Sequence, residues 1–198
     1  MSNAKQKSDR RMGPAGSENW HMILDGAEEI LRDEGHAALS SRRVAECIGV
    51  KQRLIYYYFQ TMDDLVVALF HRRSERELER LNRAALSDMP MREMWDICIN
   101  TTDARLISEF MALANRIEGL RKEVVFFIEE WRKTQMEVIA SCASRLKGDM
   151  LIPPDSLALL ATSLALSLTR EKQIGIDLGH DTVQALVASI LEVYEPVG

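Results

Sequence analysis

Cysteine is scarce in this 198-residue chain. Cys47, Cys98 and Cys142 are odd in number, far apart and in no metal-ligand spacing. That pattern argues against a disulfide framework and a zinc site, and it fits a reducing compartment. The three thiols read as buried bystanders, with a redox-sensing cysteine as the alternative. Long apolar runs are also missing. The longest, Leu157 to Leu168, is interrupted by Thr162, Ser163 and Ser167. It falls well short of the ~20 residues a membrane span needs. The N-terminus has no apolar signal core, so the expectation is a cytoplasmic protein with no membrane partner. There is no strand-type alternation of Val, Ile and Thr, and no internal repeat. Nor is there a His/Glu metal pair, a glycine-rich phosphate loop or a nucleophile motif. His21, His36, His71 and His180 are scattered. No catalytic set emerges, and no metal or cofactor is expected.

What remains is an ordinary globular composition, 46% apolar and 28% charged, with net charge −5. The charge is uneven. Residues 1–60 hold nine basic and eight acidic side chains, a balance of +1, so the remainder of the chain carries −6. Within SSRRVAECIGVKQRLIYYYF, Ser40 to Phe59, four cations (Arg42, Arg43, Lys51, Arg53) face one acid, Glu46, beside three consecutive tyrosines. Any anion binding is therefore local.

Residues 1–16 read as a disordered tail, with Lys5, Lys7, Arg10 and Arg11 and a Gly13-Pro14-Ala15-Gly16 breaker; a DNA-touching basic arm is the alternative. From Ser17 the pattern is helical. Trp20, Ile23, Leu24, Ala27, Ile30 and Leu31 form one stripe, with Ser17 or Asn19 as cap and Gly35 as stop. A short helix follows Ser40 to about Ile48, Gly49 turns the chain, and another short helix spans about Lys51 to Tyr58. Thr61 caps a fourth, which begins apolar (Leu65 to Phe70) and becomes dense in charge from His71 to Arg83. Five further helices are expected: Met91–Ile99, Asp103–Ile117, Leu120–Leu146, Asp155–Lys172 and Asp181–Tyr194. The fold class is all-α, with about nine helices. Residues 17–70 would form a DNA-binding domain and residues 71–198 a helical body.

Two short helices joined by a glycine-containing turn are the units of a helix-turn-helix, whose second helix enters the major groove. Ser40, Ser41, Arg42 and Arg43 open the first helix, where it would cross a phosphate backbone. Lys51, Gln52 and Arg53 open the second, at the end that reaches base edges. At about 100° per residue, placing Ile55 toward the core puts Phe59 beside it and Tyr58 on its flank. Arg53 and Tyr57 then point away from the core, and Tyr56 points to one side. An Arg can bind guanine bidentately, and a phenol can donate to phosphate.

The stretch ILDGAEEILRDEGHAALSSRRVAECIGVKQRLIYYYFQTMDDLVVAL resembles the DNA-binding domain of TetR-family transcriptional regulators. Ala27, Gly35, Ser40, Val44-Ala45, Gly49-Val50, Ile55-Tyr56, Phe59 and Leu65 carry the likeness over about 45 residues. Three positions depart from it. Arg53 replaces a small residue, Tyr58 replaces the usual His, and Met62 replaces a Lys that supports a phosphate contact.

The resemblance implies a ligand-responsive repressor that binds an inverted-repeat DNA operator as a homodimer and is released by a small molecule.

 The effector is expected to be a small apolar or aromatic molecule. The family's last two helices pair with the partner's, which points to Leu157, Leu160, Leu164, Leu168, Val183, Leu186, Val187 and Ile190 as the dimer interface. Its middle helices enclose the effector site, for which Trp95, Ile99, Phe110, Met111, Phe127 and Trp131 are the candidates. A helical interaction module that keeps the fold without operator binding is the alternative, motivated by Met62 and the acidic total.

Overall fold

The computed structural model describes residues 13–100, 104–144 and 152–196. Among them the chain forms nine α-helices and no strand. They are α1 (Glu18–Asp33), α2 (Ser41–Cys47), α3 (Gln52–Tyr58), α4 (Met62–Ala85), α5 (Pro90–Ile99), α6 (Ala104–Ala114), α7 (Glu118–Ala143), α8 (Pro154–Gln173) and α9 (His180–Tyr194). A 3₁₀ turn, His36–Ala38, which the periodicity did not suggest, links α1 to α2. The helix limits expected at Asp103 and Leu146 lie outside the described residues, as do residues 1–12 of the expected tail. The chain divides into two compact units, one ending at Leu69 and one starting at Phe70.

In the first unit, α1, α2 and α4 are each capped at the start by a side chain. Ser17 Oγ accepts the Trp20 N–H, and Ser40 Oγ accepts the Arg43 N–H. Thr61 and Asp64 cap α4 reciprocally: Asp64 N–H donates to Thr61 Oγ1 at 3.0 Å, and Thr61 N–H to Asp64 Oδ2 at 2.9 Å. Each pairing satisfies backbone donors that the first helical turn leaves open. α1 buries Ile23, Leu24, Ala27, Ile30 and Leu31, the stripe the sequence spacing predicts. α2 packs on both α1 and α3. The turn between α2 and α3 needs Gly49, whose φ of +70° is a conformation other residues adopt only with strain.

The second unit is built around α7 and α8, which pack on each other. α5 and α6 each lie against both, and α9 lies against α5. One core cluster joins Leu81 and Ala84 of α4 to Met91, Met94, Val138, Ile139, Cys142, Ala158 and Leu191. Two helix limits differ from the periodicity. α6 stops at Ala114 and α7 already starts at Glu118, because Ile117 takes an extended conformation (φ −101°, ψ 103°) and breaks the apolar stripe there. The charged half of α4 is less exposed than its sequence suggests, since Arg72 and Ser74 are buried.

The start of α5 is capped from far along the chain. Met89 offers no side-chain cap. Instead the buried Glu195 carboxylate accepts the N–H groups of Met91 (2.8 Å) and Arg92 (3.0 Å). The Arg92 guanidinium returns to the Glu195 carbonyl oxygen.

Candidate functional site

α3 is amphipathic in a way that sorts its three tyrosines. Ile55 and Phe59 are buried. Tyr58 is 6% exposed, whereas Tyr56 and Tyr57 are 45% and 46% exposed. The Tyr58 hydroxyl accepts from Ser17 Oγ at 3.3 Å, which ties the end of α3 to the start of α1. Its ring meets that of Tyr57 edge-on, with centroids 5.1 Å apart. The Gly13 N–H donates to the Tyr57 carbonyl at 2.9 Å, so the chain ahead of α1 also rests on this corner.

Lys51, Gln52 and Arg53 are exposed at the N-terminal end of α3. Gln52 is not loose, because its side-chain amide donates to Ser41 Oγ at 2.8 Å. Ser41 Oγ in turn donates to the Tyr56 hydroxyl at 2.9 Å. Ser41 itself is buried, so its place is between α2 and α3 and not on the outer surface. Spacing alone could not separate Ser41 from its exposed neighbour Ser40, since both sit at the start of α2.

The two arginines of α2 are each held by an acid. Arg42 is exposed and lies 3.0 Å from Glu46, one turn along the same helix. Arg43 donates from two guanidinium nitrogens to the two oxygens of Glu34. That hydrogen bonding holds the Glu34 carboxyl below its usual range and raises Arg43. A guanidinium already gripped by a carboxylate must share or leave it before it can serve a phosphate.

Two cavities of about 250 Å³ each lie in the second unit. The first is walled by α5, α7, α8 and α9. It takes in Trp95 from the expected effector set and Leu157, Leu160, Leu164, Val187 and Ile190 from the expected dimer set. The second is walled by α4, α6, α7 and α8. It takes in Phe110, Met111, Phe127 and Trp131. Ile99 borders neither of these two. The aromatic rings of the second cavity contact one another: Phe70 meets Phe110 and Phe127 edge-on, and Phe127 meets Trp131. Arg73, Arg132, Glu77, Thr162 and Ser163 supply polar groups to the same wall. Sequence reasoning omitted Arg73 and Arg132. The signal was available, since Arg132 follows Val124, Phe127, Ile128 and Trp131 on one helical stripe.

Cys98 borders both cavities, and burial pushes its thiol up to about 12. It is correspondingly poor as a nucleophile. Among the expected dimer residues, Leu168 is buried within its own chain, while Leu160 and Leu186 are 57% and 60% exposed. Val183 is half-buried. No group of three or more His, Cys, Asp or Glu side chains suited to a metal stands among the described residues. No described helix is long and apolar enough to cross a membrane.

Residues 23–69 match the sequence profile of the tetR family of bacterial regulatory proteins. A curated relative, the HTH-type transcriptional repressor Rv1474c of Mycobacterium tuberculosis, is 29% identical over 127 residues. That match spans 63% of this chain and 63% of the relative, less than two thirds of its length. Two solved structures share the fold. Reduced NemR of E. coli has a TM-score of 0.75 at 12% identity, covering 91% of this chain and 100% of that one. FadR of Bacillus subtilis in complex with stearoyl-CoA has a TM-score of 0.57 at 15% identity, covering 90% and 100%.

Proposed function

We propose, from the premise that this chain is a TetR-family transcriptional regulator, that it binds a double-stranded DNA operator as a homodimer and is released by a small apolar or aromatic effector. Repression is the favoured direction, as in the name of the M. tuberculosis relative. The observation that carries the reading is the exposed edge of α3. Lys51, just ahead of α3, and Arg53, Tyr56 and Tyr57 on it are all solvent-facing, in a chain whose net charge is −5. A recognition helix needs cations and hydrogen-bond donors at that place, and an acidic globular protein has no other evident use for them.

The homodimer reading draws support from the apolar side chains left exposed on α8 and α9, among them Leu159, Leu160, Leu186 and Val193. Exposed apolar area of this kind is costly unless covered. A two-fold dimer would set two α3 helices about one DNA turn, ~34–36 Å, apart and so read an inverted repeat. The effector reading draws support from the aromatic second cavity and from the B. subtilis structure, where the same fold is seen with stearoyl-CoA. A DNA-binding role would place the protein in the cytoplasm.

Selection of bound fragments from genomic DNA tests the reading. An inverted repeat should emerge, and Arg53→Ala should lower affinity for it by about 1–3 kcal/mol with the fold and dimer intact. Recovery of no repeat would favour a helical interaction module instead, a reading to which Met62 lends weight because the resemblance expects a Lys there.

A further inference from the structure

The second cavity carries more charge than an apolar effector requires. Its wall holds three charged side chains, Arg73, Arg132 and Glu77. Glu77 is already compensated: one Arg80 nitrogen lies 2.8 and 3.1 Å from its two carboxylate oxygens. Arg132 adds a sharper observation. Its Nε is buried and has no hydrogen-bond partner among the described residues. A buried donor on a permanent cation is costly to leave open, and buried polar groups are otherwise nearly always satisfied. Arg132 stands one residue beyond Trp131 on α7, at the end of the stripe formed by Phe127, Ile128 and Trp131. An apolar body and an anionic head are thus provided for side by side.

We infer that the effector cavity between α4, α6, α7 and α8 takes an organic anion, an aromatic body bearing a carboxylate or sulfonate, with Arg132 as its charge-reading residue. The inference rests on the reading of this cavity as the effector site. It narrows that reading from an apolar molecule to an acidic one. Arg is the suitable residue because its planar fork matches an oxyanion and its charge cannot be titrated away. A neutral aromatic could fill the same volume but would bring no counter-charge to Arg132.

Two fluorescent probes that differ by one sulfonate test this. 1-Anilinonaphthalene-8-sulfonate is the anion, and N-phenyl-1-naphthylamine is its neutral counterpart. The wild-type dimer should bind the anion saturably, one per chain, and at least about tenfold tighter than the neutral probe. Arg132→Gln should remove that preference while leaving affinity for the neutral probe within about twofold. Ile107→Trp, which fills the cavity from α6, should weaken both. Equal binding of the two probes to wild type, or a preference that survives Arg132→Gln, overturns the anion inference. If Ile107→Trp weakens both probes, the cavity reading outlives that failure. Full binding of both to Ile107→Trp overturns the cavity reading as well. Circular dichroism of each variant shows whether a loss of binding comes from a loss of fold.

Discussion

Glu34 grips the guanidinium of Arg43 with both carboxylate oxygens. The contact joins the end of α1 to the first turn of α2 and occupies a cation that the helix-turn-helix pattern points toward phosphate. Glu34→Gln removes the competing charge. The salt dependence of DNA binding should steepen by up to about one unit in log K against log salt, the value for one added phosphate contact. Fluorescence anisotropy across a salt series measures it; an unchanged slope would show that Arg43 has no phosphate within reach. The same pair predicts an acid limb in stability. The Glu34 carboxyl lies below its ordinary value of 4.5 when folded. Its contribution is therefore present above that value and is lost as pH falls through the lower, folded one. Glu171, lowered by hydrogen bonds from His180 and then Ser167, acts in the same direction. Denaturant midpoints should fall below about pH 4.5, and less so in Glu34→Gln.

Tyr57 and Tyr58 are neighbours in sequence with opposite surroundings. Tyr57→Phe removes a hydroxyl from a half-exposed ring. It should weaken operator binding by about tenfold, the scale of one hydrogen bond to a charged group, and leave thermal stability unchanged. Tyr58→Phe removes the acceptor of the Ser17 hydroxyl. It should lower stability by roughly 0.5–1.5 kcal/mol, with any DNA effect following from that loss. Paired melting and binding curves separate the two. A Tyr57→Phe variant that melts early but binds normally would reverse the assignment.

Glu195 stabilises the start of α5 from near the other end of the chain. Glu195→Ala would leave the Met91 and Arg92 N–H groups without their acceptor. The cost should be about 1–2 kcal/mol, the upper part of the range for a lost helix cap, because this carboxylate is buried. For a chain of this size that lowers the melting temperature by roughly 2–8 °C. Glu195→Gln, which keeps an acceptor oxygen, should recover part of it.

Much of this fold is legible in the sequence because helix periodicity reports burial directly. The stripe of α1 and the inward pair Ile55 and Phe59 of α3 follow from steps of three and four residues. Polar pairing is harder to read. Nothing in the spacing says that Ser41 lies between Tyr56 and Gln52, or that Glu34 holds Arg43 across nine residues. The cap on α5 is more remote still, since Glu195 lies more than a hundred positions from Arg92. Such contacts depend on where separate helices meet, and one-dimensional patterns do not carry that information. The cavities follow the same logic. Phe110 and Trp131 are visible as aromatics, but which of two cavities each one lines depends on helix packing.

Gly26 shows how close that packing is. It lies within α1, where Ala would ordinarily be favoured by about 1 kcal/mol on helix propensity. A Cβ added at Gly26 would stand 2.4 Å from the Cγ2 methyl of Ile48, at the end of α2. That methyl sits on a β-branched side chain with little rotamer freedom, so the helices themselves would have to move apart. Overpacking of this kind typically costs ~1–3 kcal/mol and outweighs the propensity gain. Gly26→Ala should therefore destabilise the first unit, and it should weaken DNA binding because α2 and α3 move together. Ile48→Ala removes the obstructing methyl. In the double variant the penalty for Gly26→Ala should shrink or change sign, leaving the propensity term exposed. A double-mutant cycle of melting free energies reads this coupling directly. Strictly additive effects would mean that α1 and α2 do not meet at this glycine.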